Sequence, residues 1–535
     1  MNVRHFYKWG VVSALVAIGL GVGLYKAVSA PPAPSPQPAA ANAEEGVQVL
    51  TRGPVHEAFA ETVTYNPEPG IVAPKTPPAA IEEVPPAQRP EGDNVAWIPG
   101  YWGWDDERND FLWVSGVWRA LPPGRQWVPG YWGKSAQGVQ WTSGYWADAK
   151  ANEVQYLPEP PASVEVGPSA AATSSDQTWL PGCWVWQNNR YAWRPGFWAA
   201  VQPDWVWIPA HYIWTPRGYV FSDGYWDYSV ARRGVLFAPV YFSADVYGRR
   251  GFSYSPTAVI DLNVFANHLF LRPRYEHYYF GDYYAANYRG EGYYPWFSVN
   301  SGRYGYDPIF AHERWQHRGD SGWVQRQQMD FDNRRDHEDA RPPRTWAGFG
   351  LRTARDATSN VGLPGVAGLL DNLGRRADSP VRFQPVNPAE RQQFQQNAQD
   401  VQRLREQRQK LDAEGGAPAG TSPREFTPTR APLPGSPIMV KPGVEVGKDR
   451  VPPKNYDAPK PDVSVEPKRR AIQTPEQPRT QSEPKAAERV APQPRAVERP
   501  AAQSKAAERP APQPSAPAGP PAGAKQDNPK ENDKK

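Results

Sequence analysis

The chain has 535 residues, with 60 Lys and Arg against 56 Asp and Glu. A net charge of +4 on that length sets up no single-sign field, so no nucleic-acid partner is implied. Pro at 63 and Gly at 45 place much of the chain outside packed structure, and the lone Cys183 excludes an intramolecular disulfide.

In chain order, Arg4 and Lys8 precede a largely apolar run from Trp9 to Tyr25, long enough for an export signal or a short membrane anchor. Val28-Ser29-Ala30 has the small residues of a processing site, but Pro31 comes directly after it. Two positive residues before the run against Lys26 after it favour an uncleaved anchor over residues 1–30, with the rest of the chain exported. Residues 31–93 are rich in Pro, Ala and Glu and read as a spacer that holds the repeat region away from the membrane.

Residues 94–228 carry the organising pattern, an aromatic-x-x-small-x-aromatic phrase. Its copies are Trp97–Trp102, Trp113–Trp118, Trp127–Trp132, Trp141–Trp146, Trp179–Trp184, Trp193–Trp198, Trp207–Tyr212 and Phe221–Trp226. Successive starts lie 16, 14, 14, 38, 14, 14 and 14 residues apart, which is a repeat with one insertion at 147–177. Turn formers such as Gln187-Asn188-Asn189-Arg190 and Thr215-Pro216-Arg217-Gly218 separate the members of each pair, so the pairs read as four β-hairpins. Two aromatics five positions apart point to opposite faces of a regular strand; a bulge at the intervening Pro-Gly or Ser-Gly would bring them to one face. Of 23 Trp, these phrases use 14, more than a small sheet needs for its own core. The expectation is an outward aromatic binding face made of Trp102, Trp118, Trp132, Trp146, Trp184, Trp198 and Trp226. The insertion reads as a Pro-containing linker, and Cys183, standing where other copies have Tyr or Phe, as a packed thiol.

Residues 229–346 read as an aromatic β segment with short helices. Strands are expected over 235–242, 258–264 and 268–272, then a tyrosine-dense patch from Tyr275 to Trp296 that packs as core, then a helix opened by Asp307-Pro308. Five of the eight histidines fall here, His268, His277, His312, His317 and His337. His312-Glu313 has Gln316 where a second zinc-ligating histidine would stand, and Asp330-Phe331-Asp332 lacks the later ligands of a calcium loop. No catalytic residue, cofactor or metal ligand is assigned, and this charged helical face reads as solvated. Beyond it lie a linker at 347–387, a solvated helix at 388–414, and a Pro/Ala/Lys/Glu tail at 415–535 that adds nothing to the folded body.

The phrase Trp127-Val-Pro-Gly-Tyr-Trp132 and its copies resemble the tryptophan-rich YXWGXW-type repeat of exported bacterial proteins, although here two residues separate Trp from Gly. The stretch from Arg233 to Trp346 resembles the segment carboxy-terminal to such repeats in long members. The resemblance implies export and no activity. The expected fold is mainly β: sequential antiparallel hairpin repeats, then a mixed β/α segment, with long disordered flanks. The expected function is that of a non-catalytic structural or interaction protein of the bacterial cell envelope. It would be membrane-anchored, with an envelope polymer or envelope protein as partner. The alternatives are a glycan- or cell-wall-binding repeat module, favoured by exposed indoles, and an enzyme with a site in 235–341, which requires a pocket where carboxylate and histidine converge.

Overall fold

A computed structural model describes residues 45–299, 305–348, 366–375, 381–414, 427–440 and 451–467, all within the unit Met1–Arg470. The apolar run from Trp9 to Tyr25 lies outside them. Among the described residues no helix is long and apolar enough to cross a membrane.

Residues 95–228 form the four expected antiparallel hairpins, and each is divided into two short ladders. In the first, Val95–Ile98 pairs with Val117–Ala120 and Tyr101–Asp105 with Asp110–Val114. The second joins Arg125–Val128 to Tyr145–Asp148 and Tyr131–Ser135 to Gly138–Thr142. The third joins Gln177–Leu180 to Phe197–Ala200 and Cys183–Gln187 to Arg190–Arg194, and the fourth joins Trp205–Ile208 to Tyr225–Tyr228 and His211–Thr215 to Gly218–Ser222. The tips lie at the expected turns; Asn188 and Asn189 take φ of 50° and 56°, the left-handed pair that a two-residue hairpin loop requires.

The break between the ladders is not a bulge. Trp97 faces Trp118 and Trp102 faces Trp113 in one unbroken register, so neither arm carries an extra residue. None of the phrase glycines has positive φ. Both arms instead leave the ladder at the same height for two residues, and the aromatic pairs keep the opposite-face alternation of a regular strand. Accordingly Trp97 and Trp118 enter one packed cluster and Trp102 and Trp113 another. Each ladder is closed at the break by a tilted or edge-to-face ring pair, from Trp97 and Trp118 at 5.1 Å to Trp179 and Trp198 at 5.6 Å.

Flanking strands widen these ladders. Val240–Phe242 and Val47–Val49 extend the inner ladder of the first hairpin, and Gly234–Leu236 its outer one. Val72–Ala73 adds to the second hairpin. Glu153–Leu157, inside the expected linker, pairs with the fourth hairpin and then with Thr429–Pro432.

Three stretches that read from sequence as unpacked are part of the body. Residues 51–60 are buried throughout, and Val55, Ala58, Phe59 and Val63 lie in the central core with Ile98, Trp127, Leu180 and Tyr225 from the four hairpins. Pro388–Ala413 is helical as expected, opened by Asn387 in a capping box with Glu390, but it buries Val401, Leu404 and Arg408 against the repeats and is not a solvated helix. In the tail, Ala431, Leu433 and Ile438 are buried and Tyr456 packs on Trp207 and Trp226, so residues within 427–440 and 451–467 contact the body, where no contact was expected. A few well-placed apolar residues and the hydrogen bonds of a free strand edge suffice to dock a chain of otherwise polar composition.

The segment after the hairpins is mixed α/β. Leu262–Phe265 is a short helix where a strand was expected, and the patch of Tyr279, Tyr283, Tyr284, Tyr288 and Tyr293 packs as core. Asp307 caps the helix Pro308–Gln316 by accepting from Phe310 N at 2.8 Å; burial pushes its carboxyl up to about 7.

Candidate functional site

The repeated chemistry lies at the breaks. Within the first three hairpins the first aromatic of one phrase lies over the small residue of the facing phrase, and the relation is reciprocal; in the fourth, Trp207 lies over Gly224. A Cβ added to Gly116 would stand 2.5 Å from the Trp97 ring, and one on Gly100 2.7 Å from the Trp113 indole nitrogen. Trp141 covers Gly130, Trp127 covers Gly144, Trp193 covers Gly182, Trp179 covers Gly196 and Trp207 covers Gly224, all at 2.4–2.6 Å. Gly is needed for this close approach and not for its backbone freedom.

The interrupted ladder also leaves amide N–H groups unpaired, and carboxylates from outside the hairpin fill three of the four breaks. Glu83 accepts from Gly100 N at 2.7 Å, Gly116 N at 2.9 Å and Trp113 Nε1 at 3.1 Å. Glu57 accepts from Gly144 N at 2.9 Å and from Trp141 Nε1 at 2.8 Å, and the oxygen facing Trp141 also lies 3.3 Å from His277 Nε2. Glu165 accepts from Gly182 N and, at 3.2 Å, from Trp179 Nε1. Each charged hydrogen bond contributes about 1.5–3 kcal/mol, so two or three of them offset a desolvation cost of several kcal/mol. At Glu83, which has no cation beside it among the described residues, burial outweighs the three hydrogen bonds and lifts the carboxyl to about 7.

The carbonyls of the breaks are taken by cations and imidazoles. Arg405 Nε donates to Gly130 O at 2.8 Å, and Arg408 Nη1 donates to Pro129 O at 2.9 Å and Ser143 O at 2.7 Å. His56 accepts from Ala58 N at Nδ1 and donates from Nε2 to Pro99 O at 3.1 Å; burial holds it neutral, with its pKa lowered to about 3.

Four of the second indoles have a different task. Trp102 donates its Nε1–H to Ala79 O at 2.9 Å, Trp184 to Ala162 O at 3.0 Å, Trp198 to Ala170 O at 2.9 Å and Trp226 to Lys454 O at 3.3 Å. The acceptors sit in Pro77-Pro78-Ala79, Pro160-Pro161-Ala162, Pro168-Ser169-Ala170 and Pro452-Pro453-Lys454. The Pro-rich stretches that read as spacers are therefore docked on the tryptophans.

This corrects the expected outward face. Trp102, Trp118, Trp146, Trp184 and Trp226 are buried, and Trp132 and Trp198 are half-buried. Trp118 packs edge to face on Phe394 at 5.0 Å, and Trp132 donates to Trp102 O at 2.7 Å. Their surplus over the needs of a small sheet is absorbed by segments whose composition reads as linker. Cys183 is half-buried beside Arg194, and burial raises its thiol pKa.

Elsewhere, Glu57, Glu61, Glu276 and His211 converge with Ser143 on a cavity of about 20 Å³. That space is of the size of one water molecule. Burial pushes Glu276 up to about 8, and the neighbouring Glu61 raises His211. Within 235–341, His312 is buried, not solvated, and its Nε2 donates to Pro203 O at 2.9 Å, while His337 is exposed. Among the described residues no group of three or more His, Cys, Asp or Glu is placed to hold a metal ion. Nothing in the spacing of the phrases points to Glu57, Glu83 or Glu165. The available signal is a glutamate set among apolar residues, as in Val164-Glu165-Val166.

Fold and site together define a tryptophan-hairpin repeat protein. A family model described as WXXGXW repeat matches residues 92–119, 175–199 and 203–227, and the chain carries the repeats of that family. Its pattern is the phrase itself, with two residues between Trp and Gly. The second hairpin, outside the matched residues, has the same register and the same filled break. No curated protein and no solved structure matches the chain.

Proposed function

We propose that this chain is a non-catalytic structural or interaction protein of the bacterial cell envelope, exported and held at the membrane by its amino-terminal segment. The observation that carries the reading is the consumption of the repeat's chemistry by the chain itself: break amides by glutamates, break carbonyls by Arg and His, indole N–H groups by Pro-rich segments. A repeat used this way builds a rigid body and displays other surfaces. The point where acids and a histidine converge is of the size of one water molecule, which weighs against the enzyme reading. The test is fractionation of cells expressing the full chain, with cross-linking of the envelope fraction. The expected result is membrane-associated protein cross-linked to an envelope component. Full-length chain recovered from the cytosol would overturn the reading.

A further inference from the structure

A cleft of about 700 Å³ lies beside the third hairpin. Trp179 and Trp198 form one wall, Trp315 and Trp323 another, and the insertion residues Gly167 and Pro168 a third. Its size is that of a ligand site. Trp198 and Trp179 are half-buried here, whereas the corresponding outer pairs of the first two hairpins are fully covered. The Trp315 indole N–H is shielded from solvent and has no acceptor among the described residues, and the guanidinium of the exposed Arg318 lies 4.2 Å from the ring centre.

The rest of the molecule indicates what such a surface takes. Four times, a phrase indole donates to a carbonyl within two residues of a proline, and on Trp198 that stretch, Pro168-Ser169-Ala170, adjoins the cleft, which Gly167 and Pro168 line. Tyr456, just after Pro452-Pro453, packs its ring at 5.1 Å from Trp207 and 4.9 Å from Trp226. Proline-rich chain is already extended when free, loses little entropy on docking, and presents flat pyrrolidine faces to indoles and carbonyls to their N–H groups.

We infer that the cleft between the third hairpin and residues 311–324 is a recognition site for an extended Pro-Pro-Ala-type segment of a separate polypeptide. The segment would lie alongside residues 168–170, stack on Trp198 and Trp315, and give a carbonyl to Trp315 Nε1 once Arg318 moves aside. This rests on the interaction-protein reading and names the chemistry of the partner.

The experiment is calorimetric titration of the full chain with the synthetic peptide Ala-Pro-Pro-Ala-Pro-Pro-Ala, a Gly/Ser peptide of equal length, and a neutral tetrasaccharide. Binding of the first alone is expected. Trp315→Phe, which keeps the ring and removes the donor, should weaken it about tenfold. His337→Ala, away from the cleft, should leave it unchanged. No peptide binding, binding unaltered by Trp315→Phe, or tighter binding of the saccharide would each overturn the inference. Concentration-dependent dimerisation reversed by the peptide would assign the occupant to a second copy and overturn the separate-partner assignment. Envelope attachment that persists without peptide binding would sink this inference and leave the broader reading standing.

Discussion

The second and fourth hairpins share one phrase and one register but differ at a reciprocal pair. In the second, Trp127 and Trp141 lie over Gly144 and Gly130. In the fourth, Trp207 lies over Gly224, but the facing small residue is Ala210, and the ring in the position that covers it is Phe221. The one phrase with alanine for glycine thus faces the one phrase with phenylalanine for its first tryptophan, and the smaller ring leaves room for the methyl group. The indole N–H that a carboxylate would bind is lost with it. The fourth break holds no glutamate: Gly224 N is satisfied by the adjacent Asp223 at 2.9 Å, and Glu61 instead receives the Tyr225 hydroxyl at 2.7 Å. In the fourth hairpin, glycine, the second-phrase tryptophan and the inserted glutamate are thus absent together, although Trp207, the counterpart of the Trp179 that binds Glu165 in the third, is kept.

The largest effect that separates the two hairpins is expected from the carboxylates. Glu57→Ala leaves the Trp141 and Gly144 donors buried without an acceptor and should cost about 3–5 kcal/mol in chemical denaturation, whereas Asp223→Ala at the exposed counterpart should cost under about 1 kcal/mol. Equal losses would show that the break does not depend on an inserted acid.

Gly144→Ala should cost about 1–3 kcal/mol by forcing a methyl against the Trp127 ring, while Ala210→Gly should cost no more than about 1 kcal/mol. Phe221→Trp should be destabilising alone and tolerated with Ala210→Gly, with a coupling energy of about 0.5–3 kcal/mol from a double-mutant cycle. Additive single effects would mean that the two residues do not share a space.

A smaller contrast concerns the roof of the fourth hairpin. Tyr456→Ala removes a ring that packs on Trp207 and Trp226 and should lower stability by about 1 kcal/mol and raise the solvent quenching of tryptophan fluorescence. Unchanged quenching would show that residues 451–467 do not cover these indoles in solution.

The smallest contrast is in pH. The Glu83 carboxyl has a folded-state pKa of about 7, above its ordinary value of 4.5. Its contribution is fully present below 4.5 and is lost as pH rises through about 7. The stability of the native chain relative to Glu83→Gln should therefore fall between pH 5 and pH 8. His56 opposes this in the whole protein: held neutral with a pKa near 3, it loses stability as pH falls below its ordinary 6.5. A stability difference from Glu83→Gln that stays flat over this range would show that Glu83 is charged throughout.

The sequence by itself determined what is local. The 14-residue spacing, the turn formers and the aromatic pairs specified four hairpins with their tips, Asp307-Pro308 specified one helix start, and the helix from Pro388 was legible too, whereas the bulge expected at each phrase was not found. These signals act over a few residues, where backbone geometry and side-chain period leave little choice. The tertiary structure alone decided which way the indoles look and what fills the breaks. Glu83 reaches Gly100 across 17 positions, Glu57 reaches Gly144 across 87, and Arg408 reaches Pro129 across 279. A Pro-rich segment reads as a solvated spacer until an indole N–H meets its carbonyl. A glutamate among apolar residues reads as surface until an interrupted ladder supplies its donors. Composition cannot foretell either, because the free energy belongs to the pair and each partner alone favours water.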